Sequence, residues 1–246
     1  MRMNRFIVGV LFNKRMFRLQ SLKGLIIDEI LEKKLSSDSS GQFYFTHVTT
    51  PDVEGTFILI NGDSTNYLAI HPDQVVFRKA AISEKASVNY SDALDEFDEL
   101  WGAANKIIKF PAIRRIGLVA EHRIDKKGAF RAGGALVECT TRLRNIDKCS
   151  KFRLEIESRS ATEKTTFSNI ETDDFYNTIY NFYTSDIDET PQKDSINANI
   201  DCQRYYNPAR IDLKKELRLF KEKFREEKDS FKKTLIELGL ENNVEK

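Results

Sequence analysis

Between residues 93 and 124 the spacing of apolar side chains changes period, and that change limits the fold more than any other feature of the chain. Leu94, Phe97, Trp101, Ala104 and Ile108 recur at helical intervals, whereas Ile116, Leu118 and Ala120 occupy alternate positions. The first spacing lays one stripe along a helix, and the second lays one face along a strand. A long amphipathic helix therefore leads into a half-buried strand, with Pro111 closing the helix. Asp92, Asp95 and Glu96 near its start, and Lys106 and Lys109 near its end, suit the helix dipole.

Around this passage the pattern predicts a first strand over 5–12 and a helix capped by Ser21 that carries Leu22, Leu25, Ile26 and Ile30 to about residue 35. The polar run 36–41 reads as a linker. Short strands over 43–48, 57–60, 67–71 and 75–78, with Asn61-Gly62 and Pro72-Asp73 as turns, read as an antiparallel meander. A strand over 113–124 follows the second helix. Residues 135–146 fit a helix through Leu136, Cys139, Leu143 and Ile146, or a strand through Val137, Cys139 and Thr141; the helix is preferred. Strands at 152–156, 175–184 and 196–206 come next, and Pro208 introduces a final helix. Its stripe from Ile211 through Leu213, Leu217, Phe220, Phe224, Phe231 and Leu238 suits docking on a sheet or, alternatively, a dimer seam.

The expected class is α+β: a large antiparallel sheet covered by three or four helices. Two halves, 1–110 and 111–246, can each follow a β-α-β-β-β-α order, within two units or one continuous domain. They open in similar words, Arg5-Phe6-Ile7-Val8-Gly9-Val10 and Arg115-Ile116-Gly117-Leu118-Val119, as a duplication would.

Composition narrows the function classes. No apolar run approaches the roughly 18 residues of a membrane span. The apolar N-terminal segment is followed by Asn13-Lys14-Arg15 instead of small residues, so it reads as a strand and not as a secretory signal. Cys139, Cys149 and Cys202 have no metal or disulfide spacing, which points to reduced thiols in a cytoplasmic protein. The net charge is only +1, yet it is segregated: 1–51 and 106–159 are basic, while 52–99 and 160–205 are acidic. Opposite blocks of this kind fit neighbouring strands that attract one another.

Catalytic and metal-binding signatures are missing from the sequence pattern, and no cofactor is expected. His47, His71 and His122 do not share metal spacing, and strand alternation separates His122 from Glu121 and Arg123. Pro51-Asp52 with Glu155-Ile156-Glu157 only loosely resembles a metal-dependent nuclease site, since Ser158 and Arg159 stand where a lysine is needed. Gly128 and Gly133-Gly134 lack the residues of a phosphate loop. Aromatics alternate on both faces of 175–183, but Asp173, Asp174, Asp186, Asp188 and Glu189 flank them in sequence, so packing explains them better than base stacking. The basic stretch 106–159 offers Arg114, Arg115, Arg123, Lys126, Lys127 and Arg131 as candidate nucleic-acid contacts.

The segment Arg115-Ile116-Gly117-Leu118, followed after four residues by Arg123-Ile124, resembles the most recognisable strand of a sporadically distributed, uncharacterised bacterial protein family. Members likewise place a helix before an R-I-G-L strand ending in R-I, after an upstream strand similar to residues 67–77. They also finish with a strand and a helix, as Ile200-Asp201-Cys202 and the residues beyond do here. Val119, Ala120, Glu121 and His122 stand where the family carries aromatic residues and Asn. The resemblance covers about the middle third of the chain and implies a soluble bacterial accessory protein among mobile or defence-related genes, without an attached activity. The leading expectation is a non-catalytic cytoplasmic binding or assembly protein acting through a homodimer or a protein partner. A nucleic-acid-binding protein is the alternative, and a divergent nuclease stands behind both.

Overall fold

The computed structural model describes residues 2–37, 44–51, 55–125, 131–141, 152–162, 174–184 and 195–240. In chain order the elements are β1 (Arg2–Phe12), α1 (Leu19–Ser37), β2 (His47–Thr49), β3 (Phe57–Ile60), β4 (Asn66–Ile70), β5 (Gln74–Ala80) and α2 (Tyr90–Ile108). They continue with β6 (Ile113–Asp125), α3 (Arg131–Thr140), β7 (Arg153–Ala161), β8 (Phe175–Thr184), β9 (Ser195–Arg210) and α4 (Leu213–Glu237). The strands form one antiparallel sheet in the order β2-β3-β4-β5-β1-β6-β9-β8-β7. This is the α+β arrangement that the two periods imply.

The order is the same on both sides of the centre. From β1 outwards come β5, β4, β3 and β2; from β6 outwards come β9, β8 and β7. β1 and β6 pair with each other, with Gly9 opposite Gly117, so both halves share a single sheet. A duplication requires such a shared order, and β2 is the extra strand of the first half.

Local chemistry sets the helix ends. The Asn89 side chain caps α2 by accepting from the Ser91 amide at 2.9 Å, and Lys109 closes it in the left-handed region with φ 54°. Asp212 caps α4 by accepting from the Lys215 amide at 3.0 Å. Two expectations are corrected here. Ser21 lies inside α1, where its hydroxyl donates to the Arg18 carbonyl at 3.1 Å, so it does not cap. Pro208 does not introduce the last helix, because β9 runs through it to Arg210. The ambiguous segment is helical, but α3 starts at Arg131 and residues 142–146 lie outside the described residues.

Burial is one-sided. The strand members of the core, including Phe6, Val8, Phe77, Leu118, Ala120, Ala198, Ile200 and Phe182, all project from one face. Leu19, Ile26 and Ile30 of α1, Phe97 and Trp101 of α2, Ala132 and Leu136 of α3, and Phe224 and Phe231 of α4 join the same cluster. The apolar stripe of α4 is therefore spent within the chain: Phe224 meets Phe6 and Tyr90, and Phe231 meets His122, Tyr180 and Phe182. Ile211, where a dimer seam would begin, is 85% exposed. Among the described residues no helix is long and apolar enough to cross a membrane.

Candidate binding face

The other side of the sheet carries no helix among the described residues, and its two halves differ in chemistry. One row of residues across it reads Val76, Gly9, Gly117, Gln203, Asn177, Arg159. The adjacent row reads Arg78, Ile7, Val119, Asp201, Ile179, Glu157. At the centre a Cβ added to Gly9 or Gly117 would meet only open space, so the floor of the face is bare backbone. First-half positions there are mostly small or apolar; those of β8 and β9 are amides, acids and aromatics.

A directed hydrogen-bond chain runs along β9. Arg115 Nη1 donates to the Tyr205 hydroxyl at 3.2 Å, that hydroxyl donates to Gln203 Oε1 at 2.8 Å, and Gln203 Nε2 donates to Asp201 Oδ2 at 2.8 Å. The chain ends on a carboxylate whose second oxygen, Oδ1, is buried and has no partner among the described residues. Burial pushes the Asp201 carboxyl up from the ordinary range, against the opposing pull of Gln203 and Arg115. Phe175 stacks on Tyr205 at 4.6 Å, and the Arg115 guanidinium lies 5.6 Å from the Tyr205 ring.

Three amides share the condition of Asp201. Asn177 is only 4% exposed; its Nδ2 donates to Glu157 at 2.8 Å, but its Oδ1 has no partner among the described residues. Asn181 and Asn199 face each other across β8 and β9, and the Oδ1 of each is buried and unpaired among the described residues. Folded proteins satisfy nearly all such groups, because each one left unmet costs about 1–3 kcal/mol. Four unpaired acceptors on two adjacent strands, all on the uncovered side, are therefore the most unusual chemistry of the molecule.

The sequence-derived candidates are dispersed. Arg115 and Arg123 both lie on this face but eight residues apart along β6, roughly 27 Å at strand rise. Arg114 is exposed at the irregular start of β6. Arg131 begins α3, and neither its side chain nor Lys126 and Lys127 falls among the described residues. Glu155 and Glu157 pair with Arg153 at 2.8 Å and Arg159 at 3.7 Å. No metal-binding group of His, Cys, Asp and Glu occurs among the described residues. His122 projects to the opposite, buried side, where Nδ1 contacts the Ala198 carbonyl at 3.2 Å.

The aromatic strand divides as alternation demands: Tyr176, Tyr180 and Phe182 pack towards α4, while Phe175 and Tyr183 reach the open face. There their cross-strand neighbours are Arg159, Arg153 and Tyr205, and not the acids adjacent in sequence. Sequence reading missed the amides. Their signal is Asn197, Asn199, Asp201 and Gln203 alternating with Ala198, Ile200 and Cys202, a wet face too rich in amides for plain solvent exposure.

A cavity of about 1020 Å³ lies between the start of α4 and β8–β9. Its buried cation, Arg204, is already held by Asp174 at 2.5 Å and by the rings of Tyr176 and Tyr206. The open face is thus the stronger candidate. In sequence comparisons no known protein family matches the chain, and no curated protein does.

Proposed function

We propose that this is a non-catalytic cytoplasmic binding protein whose ligand docks on the open face of β6, β9 and β8. The buried, unpaired oxygens of Asn177, Asn181, Asn199 and Asp201 carry the reading. A fold keeps acceptors it cannot satisfy when an incoming molecule supplies the donors, accepting lower stability in the free state. A partner arriving at the α4 stripe is disfavoured, because the helix buries that stripe against its own sheet.

Thermal unfolding tests this without knowledge of the ligand. Asn181→Leu keeps the side-chain shape and removes the unmet oxygen, so the free protein gains about 1 kcal/mol, or about 2–4 °C in Tm. Asn197→Leu, on the same face at a side chain engaged in the fold, is the reference for strand propensity and gains less. A Tm that falls for Asn181→Leu means the oxygen serves the fold, and the reading fails.

A further inference from the structure

We propose that the ligand of this face is single-stranded nucleic acid, its phosphates met by arginines and its base edges met by the amide and carboxylate oxygens. The proposal rests on the binding reading above and gives it a chemistry.

The charges on the face come first. Its cations are guanidinium groups, whose planar forks suit phosphate and whose flat faces suit bases. Several are neutralised locally: Arg5 by Glu121 at 3.0 Å, Arg153 by Glu155 and Arg159 by Glu157. Arg78 and Arg115 carry no ion pair among the described residues; each lies over an aromatic ring, Tyr67 at 5.0 Å and Tyr205 at 5.6 Å. Stacking fixes the plane of a guanidinium and leaves N–H groups on its edge for an anion. The two residues stand on either side of β1, and strand spacing and rise put them roughly 17 Å apart, with the bare Gly9–Gly117 floor between them.

The acceptors come second. Unpaired bases display N–H donors on their Watson–Crick edges, and Asn, Gln and Asp side chains are the groups that receive them. Asn181, Asn199 and Asp201 offer such oxygens within one patch beside the floor, and Asn177 offers another that is nine-tenths buried. A duplex consumes these edges in base pairing, so a sheet face that reads them takes only bases that are unpaired. A neutral glycan would supply hydroxyl donors but would bring no anionic counterpart to Arg78 and Arg115, which carry no ion pair among the described residues. At the floor, the missing Cβ atoms let a flat ring approach the backbone.

Fluorescence anisotropy of the full chain with short fluorescein-labelled probes tests the proposal: mixed-sequence RNA, the same sequence as DNA, its DNA duplex, and a neutral oligosaccharide. A single strand is expected to bind saturably and more tightly than duplex, with affinity falling as salt rises; whichever of RNA and DNA binds more tightly identifies the source. Arg78→Gln and Arg115→Gln each lower the slope of log affinity against log salt by roughly 0.7. Asn181→Leu weakens binding roughly tenfold with the slope unchanged. Melting curves confirm that each variant is folded. The proposal is overturned if neither single strand binds, if duplex binds as tightly, if only the oligosaccharide binds, or if neither arginine variant changes the slope. Should no strand bind while Asn181→Leu still raises Tm, the ligand class is wrong and the binding face stands; should the Tm gain be absent, the face itself is wrong.

Discussion

Beneath its helices the first half of the molecule ties its buried polar groups into one network, whereas the open face of the second half leaves several side-chain oxygens without a partner among the described residues. Beneath the helices of the first half, Lys79 donates to Glu96 at 2.7 Å, Lys34 donates to Glu99 at 2.7 Å and lies over the Tyr44 ring at 4.9 Å, and the Tyr44 hydroxyl donates to Glu96. Asn66 Nδ2 in turn donates to Tyr44, and only Asn66 Oδ1 is left over. This network ties α1 and α2 to β4 and β5. Burial, reinforced by Glu96, pushes the Tyr44 hydroxyl far above its usual range. On the uncovered side of β8 and β9, by contrast, the chain of donors runs out at Asp201. The difference teaches that helices can bring counter-charges to the face they cover, whereas an acceptor on a bare face depends on its neighbours within the sheet or on a molecule from outside.

The comparison breaks most sharply at Glu96. Removing it as Glu96→Ala leaves Lys79 and Tyr44 without their shared acceptor in a part-buried site, and it should cost about 3–5 kcal/mol in urea unfolding. A loss below about 1 kcal/mol would place that network on a par with surface ion pairs and erase the contrast.

A second test addresses the covered side of the second half. Desolvation lowers the His122 pKa to about 4, with Lys228 adding to the effect and the Ala198 carbonyl opposing it. The folded chain therefore binds this proton less readily than the unfolded chain. Stability is full above pH 6.5 and is lost as pH falls from 6.5 towards 4, by up to about 3 kcal/mol. Urea midpoints across that range should drop for the natural chain, and the drop should shrink in His122→Leu; equal pH dependence in both would remove His122 as its source.

The smallest effects concern glycines. Gly55 has φ 83°, and a Cβ there would lie 2.6 Å from the Gln20 amide nitrogen at the start of α1, so Gly55→Ala should cost about 1–3 kcal/mol. Gly117→Ala should change stability by less than about 0.5 kcal/mol, since its Cβ enters open space, yet it should weaken the oligonucleotide affinity. Unchanged affinity in that variant would show that the floor does not take part in binding.

Much of the architecture was legible because periodicity is local. The switch after Ile108 marked α2 and β6, the alternation of 175–184 matched β8, and the α4 stripe announced a helix docked by one side. Boundaries suffered where a side chain had two uses: Ser21 bonds back inside α1, and Pro208 sits within β9. The candidate face was poorly legible for a different reason. Reading along the chain surrounds Phe175 and Tyr183 with aspartates, but pairing across strands surrounds them with Arg159, Arg153 and Tyr205.

By itself the sequence determined where most of the helices and strands run and which side of each strand is apolar, since both follow from neighbours a few positions away. Only the tertiary structure decided that Gly9 meets Gly117, that the helices among the described residues share one face, and that the oxygens of Asn177, Asn181, Asn199 and Asp201 gather on the other with no partner among those residues. Strand order and register join residues far apart in sequence, and the pairing of a polar group depends on what the fold brings to it.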